Sequence, residues 1–302
     1  MIHYLILAHK WPKQLQKLIE VLSGEKSRVY LHLDAKSHDI SLLNLRNVEY
    51  IDSRVSIQWG GFTMIEATLQ WLFQIYKNMN PGDHVVILSG QDFPIQPPNE
   101  IRSFLEKHQT QSFMEYRIQP NDEWNILNRV TRYYFHDLLI PEWIDAFIKR
   151  IIKPFYPVHI LRNQAFWYIL SRIFNFFLPE RTYLIRNYKI FWWSQWQVLS
   201  EKHVGYMLTF LASSEGKKYK KEFSRIAGPD ELFFQTLLLN SPYKDEIENN
   251  LLWYIDWHTW PWLPRIFDSS DFDAMSSSWK LFARKFDEGI SDEIIDRIIK
   301  NF

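Results

Sequence analysis

The sequence predicts an α/β fold: one domain over residues 1–302, built on a mostly parallel central sheet flanked by helices, with a helical amphipathic insertion at about 133–190. Three observations predict it. Short apolar runs alternate with longer segments of helical spacing, as strand–helix–strand units require. The chain has 302 residues, 46% hydrophobic and 17% aromatic, enough to bury a full core. The alternation stops only between 133 and 190, where aromatic and aliphatic residues mix with Lys and Arg.

The elements follow in order. "HYLILAH" reads as a buried strand starting almost at residue 2, and "PKQLQKLIEVL" as a helix. "SRVYLHLDAKS" gives a second strand ending at Asp34, and "VEYIDS" a short third. "TMIEATLQWLFQIYKNM" is a helix with Met64, Ala67, Leu69, Leu72 and Ile75 on one side. "GDHVVILSGQDFPI" is a strand broken at Gly90. After the insertion, "WWSQWQVLS" is a strand, and Ser200 is placed to cap the helix "EKHVGYMLTFL". "GPDELFFQTLLLN" reads as one helix, "LLWYIDWHTW" as an aromatic strand and "SDEIIDRIIKNF" as a last helix capped by Ser291.

Composition removes several classes of function. With 35 basic and 35 acidic side chains, net charge is zero, so no nucleic-acid partner is expected. No cysteine is present, which excludes disulfides, thiolate metal sites and a thiol nucleophile, and is compatible with a reducing compartment. The N-terminus lacks a basic n-region and reads as a strand rather than a leader. No run reaches the roughly 18 apolar residues of a spanning helix. Neither a G-x-G-x-x-G nor a Walker loop appears, so a nicotinamide or ATP enzyme is not expected.

In an α/β sheet, ligands bind at the loops beyond the carboxyl ends of the strands. Those loops here carry His9, Asp34 and the stretch Ser89 to Asp92. Asp230 and Glu231 stand after Gly228-Pro229. Two readings stay open at this point: acids that complement a helix dipole, or a carboxylate at a helix start that accepts a proton.

Taken together and in order, "YLILAHK", "VYLHLDAKS", "WGGFTMIEATLQ", "ILSGQDFPI", "WWSQWQVLSEKHVGYML", "GPDELFFQTLL" and "LFARKFD" resemble glycosyltransferase family 14. This is the family of the core-2/I-branching β-1,6-N-acetylglucosaminyltransferases and the protein O-xylosyltransferases. The resemblance covers about residues 2–288 outside the insertion, and this Cys-free chain looks like a soluble, bacterial member.

The resemblance implies a GT-A fold and inverting transfer from a UDP-sugar to a glycan hydroxyl. It also implies no cofactor and no divalent metal. N-acetylglucosamine, β-linked, is the implied sugar, with UDP-xylose the alternative donor. By the same resemblance Glu231 is the general base, Arg265 and Lys285 hold the diphosphate, and His9 and Asp34 lie at the nucleoside. Arg284 competes with Arg265 for its role. Glu115 resembles an acceptor-binding residue, and Trp257 resembles a sugar-stacking Trp, with core packing its alternative. Arg129 and Arg132 lie where the family has basic acceptor contacts.

The chemistry agrees with that assignment. A departing nucleoside diphosphate builds negative charge, which a metal on an Asp-x-Asp pair or fixed Arg and Lys can meet. Ser89 and Asp92, on the loop where such a pair usually lies, are read as donor-binding. Asp271-Phe272-Asp273 reads as a capped turn, and His32-x-Asp34 lacks a third ligand. Trp192, Trp193 and Trp196 read as core and cleft wall, and Trp59-Gly60-Gly61 as a turn of close backbone approach. The 133–190 segment reads either as an insertion packed on the core or as a surface resting on a membrane that bears a lipid-linked oligosaccharide acceptor. The implied location is cytoplasmic, peripheral at the inner face of the membrane. A non-catalytic carbohydrate-binding protein on the same fold is the alternative of another class.

Overall fold

Strand β1 (Ile2–Ala8) shows why the chain forms layers. Ile2, Tyr4, Ile6 and Ala8 are buried in one apolar cluster, and Leu5 in another. Successive strand side chains point to opposite faces, so both faces of the sheet are covered. The computed structural model describes the chain apart from residues 11, 38–44, 51–53, 59, 119–125, 136, 138–146, 148–149, 151–164 and 259–263, and apart from the side chains of 12 and 165–169.

Among the described residues, β1 joins β2 (Ser27–Leu33), β3 (Glu49–Tyr50), β4 (His84–Ser89), β6 (Ser112–Ile118), β7 (Phe191–Ser200) and β8 (Ile247–Asn249) in one sheet. Its order is β3-β2-β1-β4-β7-β6-β8. The pairs β3–β2, β2–β1, β1–β4 and β6–β8 are parallel; β7 runs antiparallel to β4 and β6. A smaller sheet has the order β5 (Asp92–Pro94), β10 (Phe282–Arg284), β9 (Trp253–Ile255).

Helices α1 (Pro12–Leu22), α3 (Pro98–Lys107) and α11 (Asp292–Lys300) cover one face with Leu18, Ile19, Ile101, Leu105, Ile294 and Ile298. Helices α2 (Thr63–Tyr76), α7 (Glu201–Ala212), α8 (Ser214–Phe223) and α9 (Phe233–Leu239) cover the other. Helices α4 (Ile126–Thr131), α5 (Ala165–Phe177), α6 (Tyr183–Asn187) and α10 (Phe272–Ser276) complete the described set.

Several local expectations change. Helix α2 buries Ile65, Thr68, Leu72 and Ile75, with Ala67 and Trp71; Met64 and Leu69 are only half-buried. The GPDELFFQTLLLN segment is two elements, because Leu232 at φ −128° ends a 3-10 turn (Pro229–Glu231) before α9 begins. Ser200 does not cap α7 through its side chain: its hydroxyl lies 2.8 Å from His203 Nδ1. Ser291 does not cap α11 either, since its hydroxyl donates to Phe267 O at 2.6 Å. Of the third strand Glu49–Tyr50 is described, and residues 51–53 and Trp59 lie outside the described residues. Helix α3 and strand β6 have no counterpart in the sequence reading.

Candidate active site

The sheet register gathers most of the candidate residues at one edge. Ile87 of β4 is opposite Gln197 of β7, which is opposite Met114 of β6. Leu7 pairs with Ser89, and Ala8 with Leu33. Beyond this line, at the carboxyl ends of the parallel strands, lie His9, Asp34, Ser89, Glu115 and the stretch Ser194–Trp196.

One half of this edge is built by backbone bonds. Asp34 N donates to Ala8 O at 2.9 Å, and Asp34 Oδ1 accepts from Lys36 N at 2.8 Å, so the two strand exits form one surface. His9 has its pKa pushed down, first by desolvation, then by Lys10, Lys285 and Lys36, against a pull from Asp34. That electrostatic neighbourhood brings Lys285 to the same surface. Phe286 N donates to Gln91 O at 2.9 Å, which lays the Lys285 segment over the β4 exit loop. Lys10, Lys36 and Lys285 thus lie near one strand-end surface, together with the carboxylates of Asp34 and Asp287.

Asp92 departs from its expected role. It is fully buried; its Oδ1 accepts from Arg284 Nη1 at 3.1 Å, and its Oδ2 accepts from Ser89 N at 2.5 Å. Burial raises its pKa, opposed by Arg284 and by the Ser89 bonds. Ser89 Oγ accepts from Arg284 Nη1 at 2.6 Å and from Gln91 N at 3.1 Å. Asp92 and Ser89 therefore hold Arg284 and shape the loop; Asp92 is fully buried and Ser89 partly exposed. Arg284 also lies over the Trp196 ring at 4.5 Å. Its charge is engaged with a fully buried acid, and that of Arg265 with two partly exposed ones. Arg265 is joined to the site by its backbone: Lys285 N donates to Arg265 O at 3.3 Å. Its guanidinium meets Asp271 at 3.2 Å and Asp268 at 3.7 Å.

Neither suspected metal pair behaves as one. Asp271 sits in a capping box with Asp268 and pairs with Arg265, whereas Asp273 pairs with Arg297 at 3.2 Å. His32 Nε2 accepts from Val55 N at 3.1 Å, so that nitrogen is committed.

The other half centres on Glu231. Gly228 adopts the left-handed region at φ 57°, which starts the 3-10 turn and aims Glu231 outward, 45% exposed. Arg129 Nη2 holds Glu231 Oε2 at 2.9 Å. The same guanidinium donates to Gly228 O at 2.6 Å and Ala227 O at 2.9 Å. Asp230, beside it, is partly exposed. Burial and then the Glu231 charge push its pKa up to about 7, against a pull from Arg129. The adjacent acids are both partly exposed, and Glu231 is the one that Arg129 holds. Gly228 N donates to Gly60 O at 2.9 Å, tying this loop to the loop before α2. Asp137 in turn accepts from Phe62 N at 2.6 Å and Thr63 N at 3.2 Å, fixing the start of α2.

Glu231 and Lys285 are anchored to one stretch of β7. One turn after Glu231, Gln235 donates to Ser194 O, while Trp196 carries Arg284 beside Lys285. Across from this stretch, a register shift in β6 falls at Glu115. Burial raises the Glu115 pKa, opposed by a hydrogen bond with Trp193 and by Arg117 and Lys280. Arg117 stacks on Trp193 at 3.6 Å, whereas Trp192 and Trp196 are buried as core and wall. Trp257, 48% exposed, leaves β9 beside this edge and is not core.

A family model of the Core-2/I-Branching enzyme matches residues 2–279. The chain belongs to this family. Relatives include xylosyltransferase 1 of Canis lupus familiaris and of Homo sapiens, each 24% identical over 321 residues. Each of those matches covers 98% of this chain and 30% of the relative. A xylosyltransferase of Ciona intestinalis is 21% identical, with 98% of this chain and 33% of the relative covered. The chain thus spans about a third of the length of the curated relatives it matches.

Sequence reasoning misses the partner of Glu231. It places Arg129 only as an acceptor contact, and the two residues are far apart in the chain. No local spacing signals such a pair.

Proposed function

We propose that this chain is a glycosyltransferase that inverts the anomeric centre of a UDP-sugar and works without a divalent metal. Glu231 takes the proton of an acceptor hydroxyl. The hydroxyl oxygen forms a bond to the anomeric carbon as that carbon's bond to the phosphate oxygen breaks. UDP leaves with the electron pair toward Lys285 and Arg265, fixed cations that take the place of a metal. Glu115 and Trp257 hold the acceptor. The observation that carries this reading is the outward Glu231, held at 2.9 Å by Arg129, on the sheet edge that also bears Lys285.

The donor proposed is UDP-N-acetylglucosamine, giving a β-linked product; the names of the relatives keep UDP-xylose as the second donor to assay. The chain is proposed to act in the cytoplasm, at the inner face of a membrane carrying a lipid-linked acceptor. Glu231→Gln should lower transfer by at least about 100-fold while UDP binding holds. Unchanged turnover would remove Glu231 from the chemistry. Transfer should persist in EDTA, and strict dependence on Mn²⁺ would overturn the cation argument. A non-catalytic sugar-binding role would leave the donor intact in a UDP-release assay with acceptor.

A further inference from the structure

A second exposed tryptophan lies on the acceptor side of the site. Trp279 stands between α10 and β10 and is 59% exposed. Single exposed aromatic residues are ordinary on a protein surface. This one is held and partnered. Gln96 Nε2 donates to Ser278 O at 3.4 Å. Leu281 N donates to Leu252 O at 2.9 Å, and Leu281 O accepts from Ile95 N at 2.9 Å. The backbone on both sides of Trp279 is therefore fixed. Lys280 Nζ lies 3.7 Å above the centre of the indole ring and donates to Leu251 O. A cation on one face and bonds on either side make the ring a rigid platform.

Lys280 ties that platform to Glu115. Each charge acts on the other: Lys280 pulls the Glu115 pKa down against burial, and Glu115 pulls the Lys280 pKa up against burial. Glu115 is itself fixed. It sits at the register shift of β6, where Asn249 Oδ1 accepts from Tyr116 N at 3.0 Å and Asn249 Nδ2 donates to Tyr116 O at 3.1 Å. Asn249 ends β8, and the Leu251 carbonyl that holds Lys280 follows two residues later. A carboxylate, an ammonium and an exposed indole thus share one tract of surface. Those groups match a sugar ring: an acceptor and a donor for its hydroxyls, and an apolar plane for its C–H face.

Trp257 is placed for a different ring. Strands β9 and β10 run parallel, with Trp253 opposite Phe282 and Ile255 opposite Arg284. Trp257 follows the Arg284 end and Trp279 precedes the Phe282 end, with a strand of about 10 Å between them. Two tryptophans at opposite ends of one small sheet suit successive sugars of a chain rather than one sugar.

We propose that Trp279 and Lys280 form a second acceptor subsite beside Glu115, so that the acceptor is a glycan of two sugars or more, with a sugar next to the reacting one stacked on Trp279. The proposal rests on the reading of Glu115 as an acceptor contact and adds the length of the acceptor to it.

The test uses the full chain with UDP-N-acetylglucosamine or UDP-xylose. The acceptors are methyl β-glycosides of galactose, glucose and N-acetylglucosamine, beside those of lactose, cellobiose and N,N′-diacetylchitobiose. Wild type should show a kcat/KM about tenfold higher for a two-sugar acceptor than for the matching single sugar. Trp279→Ala should bring that ratio to within about twofold, whereas Trp279→Tyr should keep most of it, because a smaller ring still offers a plane. Lys280→Gln should lower the ratio about threefold, because the ring loses the cation that holds it. Trp279→Ala removes an exposed ring, so its thermal midpoint should stay near that of wild type. Equal use of one-sugar and two-sugar acceptors, use of neither, or the wild-type ratio in Trp279→Ala would overturn the proposal. Transfer to a serine peptide but to no sugar would overturn it in favour of a peptide acceptor. Glu115→Gln should raise KM for one-sugar and two-sugar acceptors alike. An unmoved KM in that variant tells against Glu115 alone, and a missing Trp279 effect tells against the subsite alone.

Discussion

Replacing Arg129 with Gln tests the arrangement of the base most directly. Arg129 makes three contacts: Ala227 O at 2.9 Å, Gly228 O at 2.6 Å and Glu231 Oε2 at 2.9 Å. A hydrogen bond with a charged partner contributes about 1.5–3 kcal/mol, and the half-exposed Glu231 contact only about 0.5–1 kcal/mol after screening. Taking the low end for the two carbonyl bonds gives a local loss of about 3–4 kcal/mol. That loosens the left-handed turn and lets Glu231 drift. A displacement of about 1 Å at a reacting group costs about 100-fold in rate. Arg129→Gln should therefore lower kcat about 100-fold with little change in the donor KM, because the donor site is built from other strands. Arg129→Lys should rescue little, since one ammonium cannot span three acceptors. Steady-state kinetics with a varied donor and a varied acceptor provide the assay, with thermal unfolding as the control. A kcat within about threefold of wild type, well short of the loss expected from misplacement, would refute this reasoning. So would a raised acceptor KM at unchanged kcat, which would make Arg129 an acceptor contact.

Three further outcomes follow. Asp92→Ala leaves the Arg284 charge without its buried partner and should cost about 3–5 kcal/mol, read as a lowered midpoint in urea unfolding; a midpoint within error of wild type would contradict the pairing. Gly228→Ala should unfold at lower temperature and transfer poorly, because φ is 57° and an added Cβ would meet Arg129 Nη2 at 2.3 Å; wild-type kinetics would show that the turn tolerates a side chain. His3, His32, His84 and His203 all have lowered pKa values through burial. Unfolded imidazoles take protons below their ordinary value of 6.5 while the folded ones resist, so stability should fall as pH drops below about 6.5. Flat stability between pH 7 and 5 would count against four buried neutral histidines.

The α/β class and the strand-end site were legible in the sequence, for a physical reason. The nearly continuous apolar runs of "HYLILAH" and "HVVILS" are set by two covered faces, and they are local. Glu231 and Lys285 were legible through collinear resemblance, not through spacing. What was not legible depends on distant partners. Asp92 reads as a ligand-facing acid until Arg284, 192 positions away, is seen bonded to it. Ser200 and Ser291 read as caps because each precedes a helix, yet other partners take their hydroxyls. The break in GPDELFFQTLLLN was hidden because every residue after Gly228-Pro229 can continue a helix, while Gly228 at φ 57° and Leu232 at φ −128° bound a tighter turn.

The reversal of β7 has a consequence for redesign. On the proposed reading, four neighbouring strands of one direction carry the nucleoside contacts, and β7, the one counter-running strand of this sheet among the described residues, begins the half assigned to the acceptor. On the proposed reading His9 and Asp34 come from the early strands and Arg265 and Lys285 from the end of the chain, so the tract holding β6 and β7 carries none of the proposed donor contacts. Exchanging the tract that holds β6 and β7 between family members is a route to new linkages that leaves the fuel unchanged.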